Sequence, residues 1–336
     1  MEDAPKWAPD PRVPLRLAHD AGLDVDVLSA VWKPGATAAA DLPPLRRAVE
    51  AAVAEHVQPI LAVYQLSSAT PTAAAARTAF VSYAVGLVHA LPDVHTVIVG
   101  NEPNLNLFWL PQFDANGEDA AAPSYEQLLA AAYDGLKAAD PKLTVVGGAL
   151  APRGGDDASA SRQTHSPTTF IQDLGAAYRA SGRARPLMDM FSIHVYGESP
   201  RVPPTLAHPQ TTSIGIADYQ KLVGLLGKAF DGTAQAGSKL PIMYGEYGVE
   251  TRVPAAKAGS YSGREVVPAV DEETQAAYYR RAIELTACQP TVRMLLFFHV
   301  LDEQRLEGLQ SGLYYADGAP KASVQAVEHA SLTCRS

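Results

Sequence analysis

The 336-residue chain is predicted to be an α/β protein, a (β/α)8 barrel of the TIM type formed by residues 1–336 as a single domain, on three observations. Short apolar runs alternate with longer helical ones along the whole sequence. Those short runs are continuously apolar rather than alternating, as parallel strands covered on both faces are. Links from helix to strand are short, whereas links from strand to helix are long and polar, which puts the insertions on one face. The length suits one decorated barrel, since such barrels run to about 250 residues before insertions.

A helical run at 13–22 comes first. Strands are read at 25–32 (VDVLSAVW), 59–65, 95–100, 143–149, 188–196, 240–246 and 293–300. Helices are read at 42–55, 72–91, 124–139, 167–181, 216–230, 272–287 and 320–331. The helix at 167–181 opens on Ser166-Pro167, and that at 272–287 on Asp271 with Glu272 and Glu273 behind it. A side-chain oxygen before the first turn, a proline at its first position or acidic residues within it are helix starts. Asp140-Pro141-Lys142 and Cys288-Gln289-Pro290 are short returns to the next strand. The segments 101–123, 150–166, 197–215 and 247–271 leave the C-terminal ends of strands, where parallel α/β proteins gather their active sites. They predict a walled cleft. Only seven strands are visible, and the helix at 13–22 should itself follow one. Residues 1–12 are rich in charge and proline and make a poor central strand. The first strand is therefore expected to be missing or irregular, leaving sheet edges through which the chain could self-associate.

Composition sets outer limits. Hydrophobic residues make up 47% and charged residues 19%, enough for a large core and too apolar for disorder. The net charge is −9 and no Lys/Arg cluster stands out, so neither nucleic acid nor an anionic membrane is an expected partner. No apolar run is long enough to cross a bilayer. The start, MEDAPKWAPDP, lacks the basic and apolar regions of a signal peptide. Secretion with a leader absent from this sequence is expected, with the cytoplasm as the alternative. The histidines have no ligand spacing, and neither a metal nor a cofactor is expected. Cys288 and Cys334 end the last two helices, which should be neighbours on the face opposite the cleft. A disulfide between them is expected, and two separate thiols are the alternative.

Two strand ends carry the chemistry. Val97-Ile98-Val99-Gly100-Asn101-Glu102-Pro103-Asn104 takes an apolar strand into a carboxylate beside amide side chains, and Pro241-Ile242-Met243-Tyr244-Gly245-Glu246 does the same later in the chain. If one strand precedes the first visible one, these are strands four and seven, on opposite sides of a closed barrel. Two carboxyl groups facing each other at about 5 Å, one protonated and one ionised, are what glycoside cleavage through a covalent intermediate needs.

With these motifs the chain resembles the clan of retaining β-glycosidases on (β/α)8 barrels that includes families 5 and 39. The resemblance runs from about residue 14 to the C-terminus and includes the late turn Tyr314-Tyr315-Ala316-Asp317-Gly318. Asn101-Glu102-Pro103 looks like the clan's acid/base motif, Glu246 like its nucleophile, and His194-Val195-Tyr196 like its sixth-strand His-x-Tyr. The resemblance implies that Tyr196 hydrogen-bonds the nucleophile and that Asn101 contacts the sugar 2-hydroxyl. Two departures stand beside it. The clan's second-strand arginine is absent from Asp26–Trp32, and its last-strand tryptophan is absent from Leu296-Phe297-Phe298-His299-Val300.

The expected function is a retaining β-glycoside hydrolase acting on a carbohydrate substrate, with Glu102 as acid/base and Glu246 as nucleophile. The alternative is a carbohydrate-binding barrel that has lost turnover. An isomerase or aldolase would want a strand-end lysine or a metal cluster, and neither is present. Asn101, His194 and Tyr196 are expected to contact the sugar or tune the carboxylates. Trp32 could floor the sugar site or pack in the core; Trp109 could stack on a sugar or anchor its loop. Tyr64 and His299 also end strands.

Overall fold

The computed structural model describes residues 4–334. Seven strands form one parallel sheet in sequence order: β1 (Val25–Val31), β2 (Gln58–Tyr64), β3 (Thr96–Val99), β4 (Thr144–Leu150), β5 (Met190–His194), β6 (Ile242–Tyr247) and β7 (Val292–Phe297). Each expected strand is present. The helices are α1 (Ala4–Trp7), α2 (Arg12–Asp20), α3 (Ala38–Ala54), α4 (Ala74–Ala90), α5 (Ala121–Ala139), α6 (Pro167–Ala180), α7 (Tyr219–Phe230), α8 (Glu272–Thr286) and α9 (Ala322–Glu328). From α3 onward, one α-helix follows each strand. The predicted helix starts hold: Ser166 Oγ accepts from the Thr169 amide, and Asp271 Oδ1 from the Thr274 amide. The helix after β1 begins at Ala38, ahead of the predicted position, and carries Pro43 and Pro44 inside it.

The core has two layers. The larger lies between the sheet and the helices, where residues such as Leu61, Val97, Phe170 and Leu226 are removed from water. The smaller is a cluster fed by every strand, including Val27, Ile60, Ile98, Val146, Met190 and Met243, closed by Leu296. Val27 belongs to β1 and Leu296 to β7, so the sheet curls until its two ends share one interior. Side chains of parallel strands alternate between faces, which is how one strand feeds both layers.

Among the described residues no ladder joins β1 to β7. Between them lies a cavity of about 530 Å³, lined by Val25, Val27, Met294, Leu296, Thr286 and Val327. This is the position expected of the strand before α2. Among the described residues, that part of the chain instead forms α1, whose Lys6 Nζ donates to the Ser29 carbonyl at 2.6 Å. Residues 1–3, which share the expectation, lie outside the described residues.

Cys288 follows α8 and Cys334 follows α9; they are bonded to each other with Cα atoms 4.7 Å apart. The bridge sits at the helix C-termini, on the face away from the long loops. No helix among the described residues is long and apolar enough to cross a membrane.

Candidate active site

The C-terminal end of β3 is shaped by two local constraints. Gly100 sits at φ +86°, and a Cβ there would approach the Tyr125 ring to 3.0 Å. Glycine permits both the left-handed backbone and the close approach. Tyr125, from α5, donates to the Val99 carbonyl at 2.7 Å and accepts from the Gly148 amide at 2.9 Å, which clamps the ends of β3 and β4 together. Glu102 itself has φ +39°, and its amide donates to the Ala149 carbonyl at 2.8 Å. A glutamate held in the left-handed region costs about 1–3 kcal/mol, a strain typical of functional positions. Asn104 supports the turn: its amide donates to the Ala151 and His165 carbonyls and accepts from the Ala151 amide.

The second carboxylate comes from β6. His194 and Glu246 are register partners across β5 and β6. The strands approach closely because residue 245 is glycine; a Cβ there would lie 2.6 Å from Ser192 Oγ and 3.2 Å from His194 Cδ2.

These elements bring four of the predicted residues together. His194 Nδ1 lies 2.9 Å from Glu102 Oε1 and 3.4 Å from Glu246 Oε2. Those two oxygens are thus at most about 6.3 Å apart, within reach of one reacting carbon. Tyr196 OH donates to Glu246 Oε2 at 2.9 Å. Burial disfavours the imidazolium of His194, but the Glu246 and Glu102 carboxylates outweigh it and raise the pKa above the ordinary histidine value. Burial and the Glu246 carboxylate push the Tyr196 phenol well above its own, so it stays a donor at any working pH. Among the described residues the only basic side chain within 4 Å of Glu246 is His194. The absent second-strand arginine thus has no substitute arginine in contact; His194 and Tyr196 hold the carboxylate instead.

The remaining predicted residues divide. Asn101 is 8% exposed at the strand end, and its side chain bonds to none of the described residues. Tyr64 is half-buried, edge-on to Phe108. His299 ends the β7 side, and burial lowers its pKa to about 3, so it is neutral. The two tryptophans are not sugar platforms. Trp32 is 1% exposed and packs edge-on to Phe80; Trp109 is 0% exposed and packs edge-on to Tyr125. Each is buried, which favours packing, the other alternative that its sequence left open, over a sugar platform. Arg153 was missed. It lies beyond β4, Nη1 donating to the Tyr196 carbonyl at 2.8 Å, and its charge reaches Glu102. Its only sequence signal was a place in a long loop at a strand's C-terminal end.

The curled parallel sheet is a fold shared with known enzymes. No family model matches the chain, and no curated protein does. Its fold is similar to that of a family 39 glycoside hydrolase from the gut symbiont Bacteroides cellulosilyticus WH2, at 17% identity and a TM-score of 0.65 over 94% of this chain and 59% of that one. It is similar also to a monomeric β-xylosidase from Caulobacter crescentus CB15, at 16% identity and a TM-score of 0.60 over 97% of this chain and 65% of that one. A family 5 broad-specificity endoglucanase from Clostridium longisporum aligns at 12% identity and a TM-score of 0.58, over 95% and 86% of the two chains. The chain thus has the TIM-type fold of these glycoside hydrolases, and spans about six tenths of the length of the family 39 enzyme.

Proposed function

We propose that the protein is a retaining β-glycoside hydrolase. The observation that carries the reading is the single His194 nitrogen shared by Glu102 and Glu246, which bounds their oxygens at about 6.3 Å. Double displacement uses carboxyls roughly 5–5.5 Å apart, whereas inversion needs about 6.5–9.5 Å to admit a water. Glu246 attacks the anomeric carbon as the glycosidic C–O bond breaks, and Glu102 gives its proton to the leaving oxygen. Glu102 then takes a proton from the water that releases the sugar. Tyr196 fixes the attacking oxygen, and Asn101, with no bond from its side chain to the described residues, meets the sugar beside it in this reading.

The test is Glu246→Ala with azide, on a panel of aryl β-glycosides. The small anion should occupy the vacated space and give a glycosyl azide of inverted configuration, read by proton NMR. Glu102→Ala should keep most activity on substrates with good leaving groups, which need no proton. A wild type that binds sugars without any turnover would sink the reading. It would favour a carbohydrate-binding barrel, to which the missing arginine beside Glu246 points.

The bond between Cys288 and Cys334 supports work in an oxidising compartment, as a secreted protein. Self-association belongs to the same reading, since no ladder joins β1 to β7 among the described residues, and sedimentation across a concentration series would reveal it as a shift in mass.

A further inference from the structure

Beside Glu102 lies a cavity of about 430 Å³ to which the steps above assign no role, walled by Glu102, Arg153, Gly155, Arg162, Thr164 and Tyr196. Glu246 does not line it. It therefore lies on the side of the acid/base where a leaving group would sit, rather than under the sugar that Glu246 attacks.

The wall is rigid. A Cβ at Gly154 would fall 1.9 Å from the His165 carbonyl oxygen, so the two arms of the β4–α6 loop are in backbone contact there. The Gly155 amide donates to Thr164 Oγ1 at 2.8 Å, and Leu105 bridges Thr164. Asn104 ties the same loop to the turn that carries Glu102.

The charge in that wall is unbalanced. Arg153 is half-buried and has no carboxylate within ion-pair distance among the described residues. Its Nη1 is committed to the Tyr196 carbonyl, which fixes the guanidinium plane, while its other N–H groups take no acceptor among the described residues. Glu198 and Glu102 attract it only from farther away, and Glu198 Oε1 lies 2.8 Å from His208 Nε2. Arg162 stands exposed on the rim, also without an ion-pair partner among the described residues. A cation withdrawn from water and left without a counter-charge keeps its desolvation cost until an anion arrives. A guanidinium fork held in one plane fits the paired oxygens of a carboxylate or sulfate. On a chain of net charge −9, two arginines in one cavity are a local departure.

We propose that this cavity is a leaving-group subsite for a sugar carrying an anionic substituent, a uronic acid carboxylate or a sulfate ester, held by Arg153 and Arg162. The role as a leaving-group subsite rests on the hydrolase reading; the anion preference does not, and it is measured by binding alone. The probes are methyl β-D-glucuronide, methyl β-D-glucoside 6-sulfate and methyl β-D-glucoside, titrated into the full chain at 50 and 200 mM salt and followed by NMR. One of the anionic probes should bind at least about tenfold tighter than the neutral one, the better of the two identifying the substituent. That advantage should shrink at the higher salt, as an ion pair does. Arg153→Gln should abolish it. Arg162→Gln, at an exposed position that tolerates change, should weaken it about threefold even if the Arg153 variant fails to fold. Equal binding of all three probes would overturn the proposal, as would a preference that survives the double substitution. Anion preference in a protein that never turns over an aryl glycoside would sink the hydrolase reading and leave the binding site standing.

Discussion

Removing the Tyr196 hydroxyl isolates one interaction on the attacking carboxylate. The phenol donates to Glu246 Oε2 at 2.9 Å, and its ring packs edge-on to Phe298 at 6.4 Å. Tyr196→Phe keeps the ring and deletes the donor. A hydrogen bond to a charged acceptor is worth about 1.5–3 kcal/mol, and each 1.36 kcal/mol is tenfold in rate. The expected loss in kcat/KM is therefore roughly 10- to 150-fold. Burial and Glu246 hold the phenol protonated far above neutrality, so the loss should be flat from pH 5 to 9. Initial rates on a nitrophenyl β-glycoside, with thermal melting to confirm an intact fold, supply the measurement. A loss under twofold would refute the reasoning, because Glu246 would then be held by something other than this hydroxyl. A loss that varies steeply over that pH range would do so too, because the donor would be titrating.

Three further outcomes follow from the same geometry. Gly245→Ala forces a Cβ against Ser192 Oγ and the His194 ring, so about 1–3 kcal/mol of stability should be lost along with most turnover; an unchanged melting temperature with full activity would contradict the close approach. Burial raises the Glu250 carboxyl to about 7 from an ordinary 4.5, so the fold keeps a proton that the unfolded chain releases. Stability should be full below about pH 4.5 and fall as pH rises through 7. Glu250→Gln should remove that decline, gaining up to about 3 kcal/mol near pH 9 and nothing at pH 4, and parallel urea curves at both pH values would refute it. Cys334→Ser opens a 46-residue separation and should cost about 4 kcal/mol in the chain-entropy limit; a urea midpoint that matches the parent's would show that the bridge constrains nothing.

The strands were legible because buried parallel strands are apolar throughout, and that signal is local. The meeting of Glu102 and Glu246 was legible too, since both follow such runs and strand ends share one face. What decides the tryptophans is not local. Trp32 packs on Phe80, 48 positions away, and Trp109 on Tyr125 of the following helix. A loop sequence carries no period from which such partners can be read. The start of the helix after β1 was read at 42 but lies at Ala38, and Pro43 and Pro44 fall inside it, where a proline cannot donate to the helix ladder. Arg153 escaped because nothing in its sequence distinguishes it from the other arginines; it stands out only once the loop folds back and leaves its charge unanswered.

The bond between Cys288 and Cys334 has a topological consequence. It closes a covalent ring that contains all of β7, His299, the Asp302–Lys321 ion pair and α9. The last strand of the open sheet is thus not a tail. If β7 peels away from β6, both ends of the ring stay anchored on α8, and it re-docks as a tethered loop rather than as a free end. A protease that cuts the exposed stretch at Gln304 or Arg305 would nick the ring without releasing it. The piece after the cut, with Lys321 and α9, would stay bonded through Cys334, and only reduction would break that covalent link.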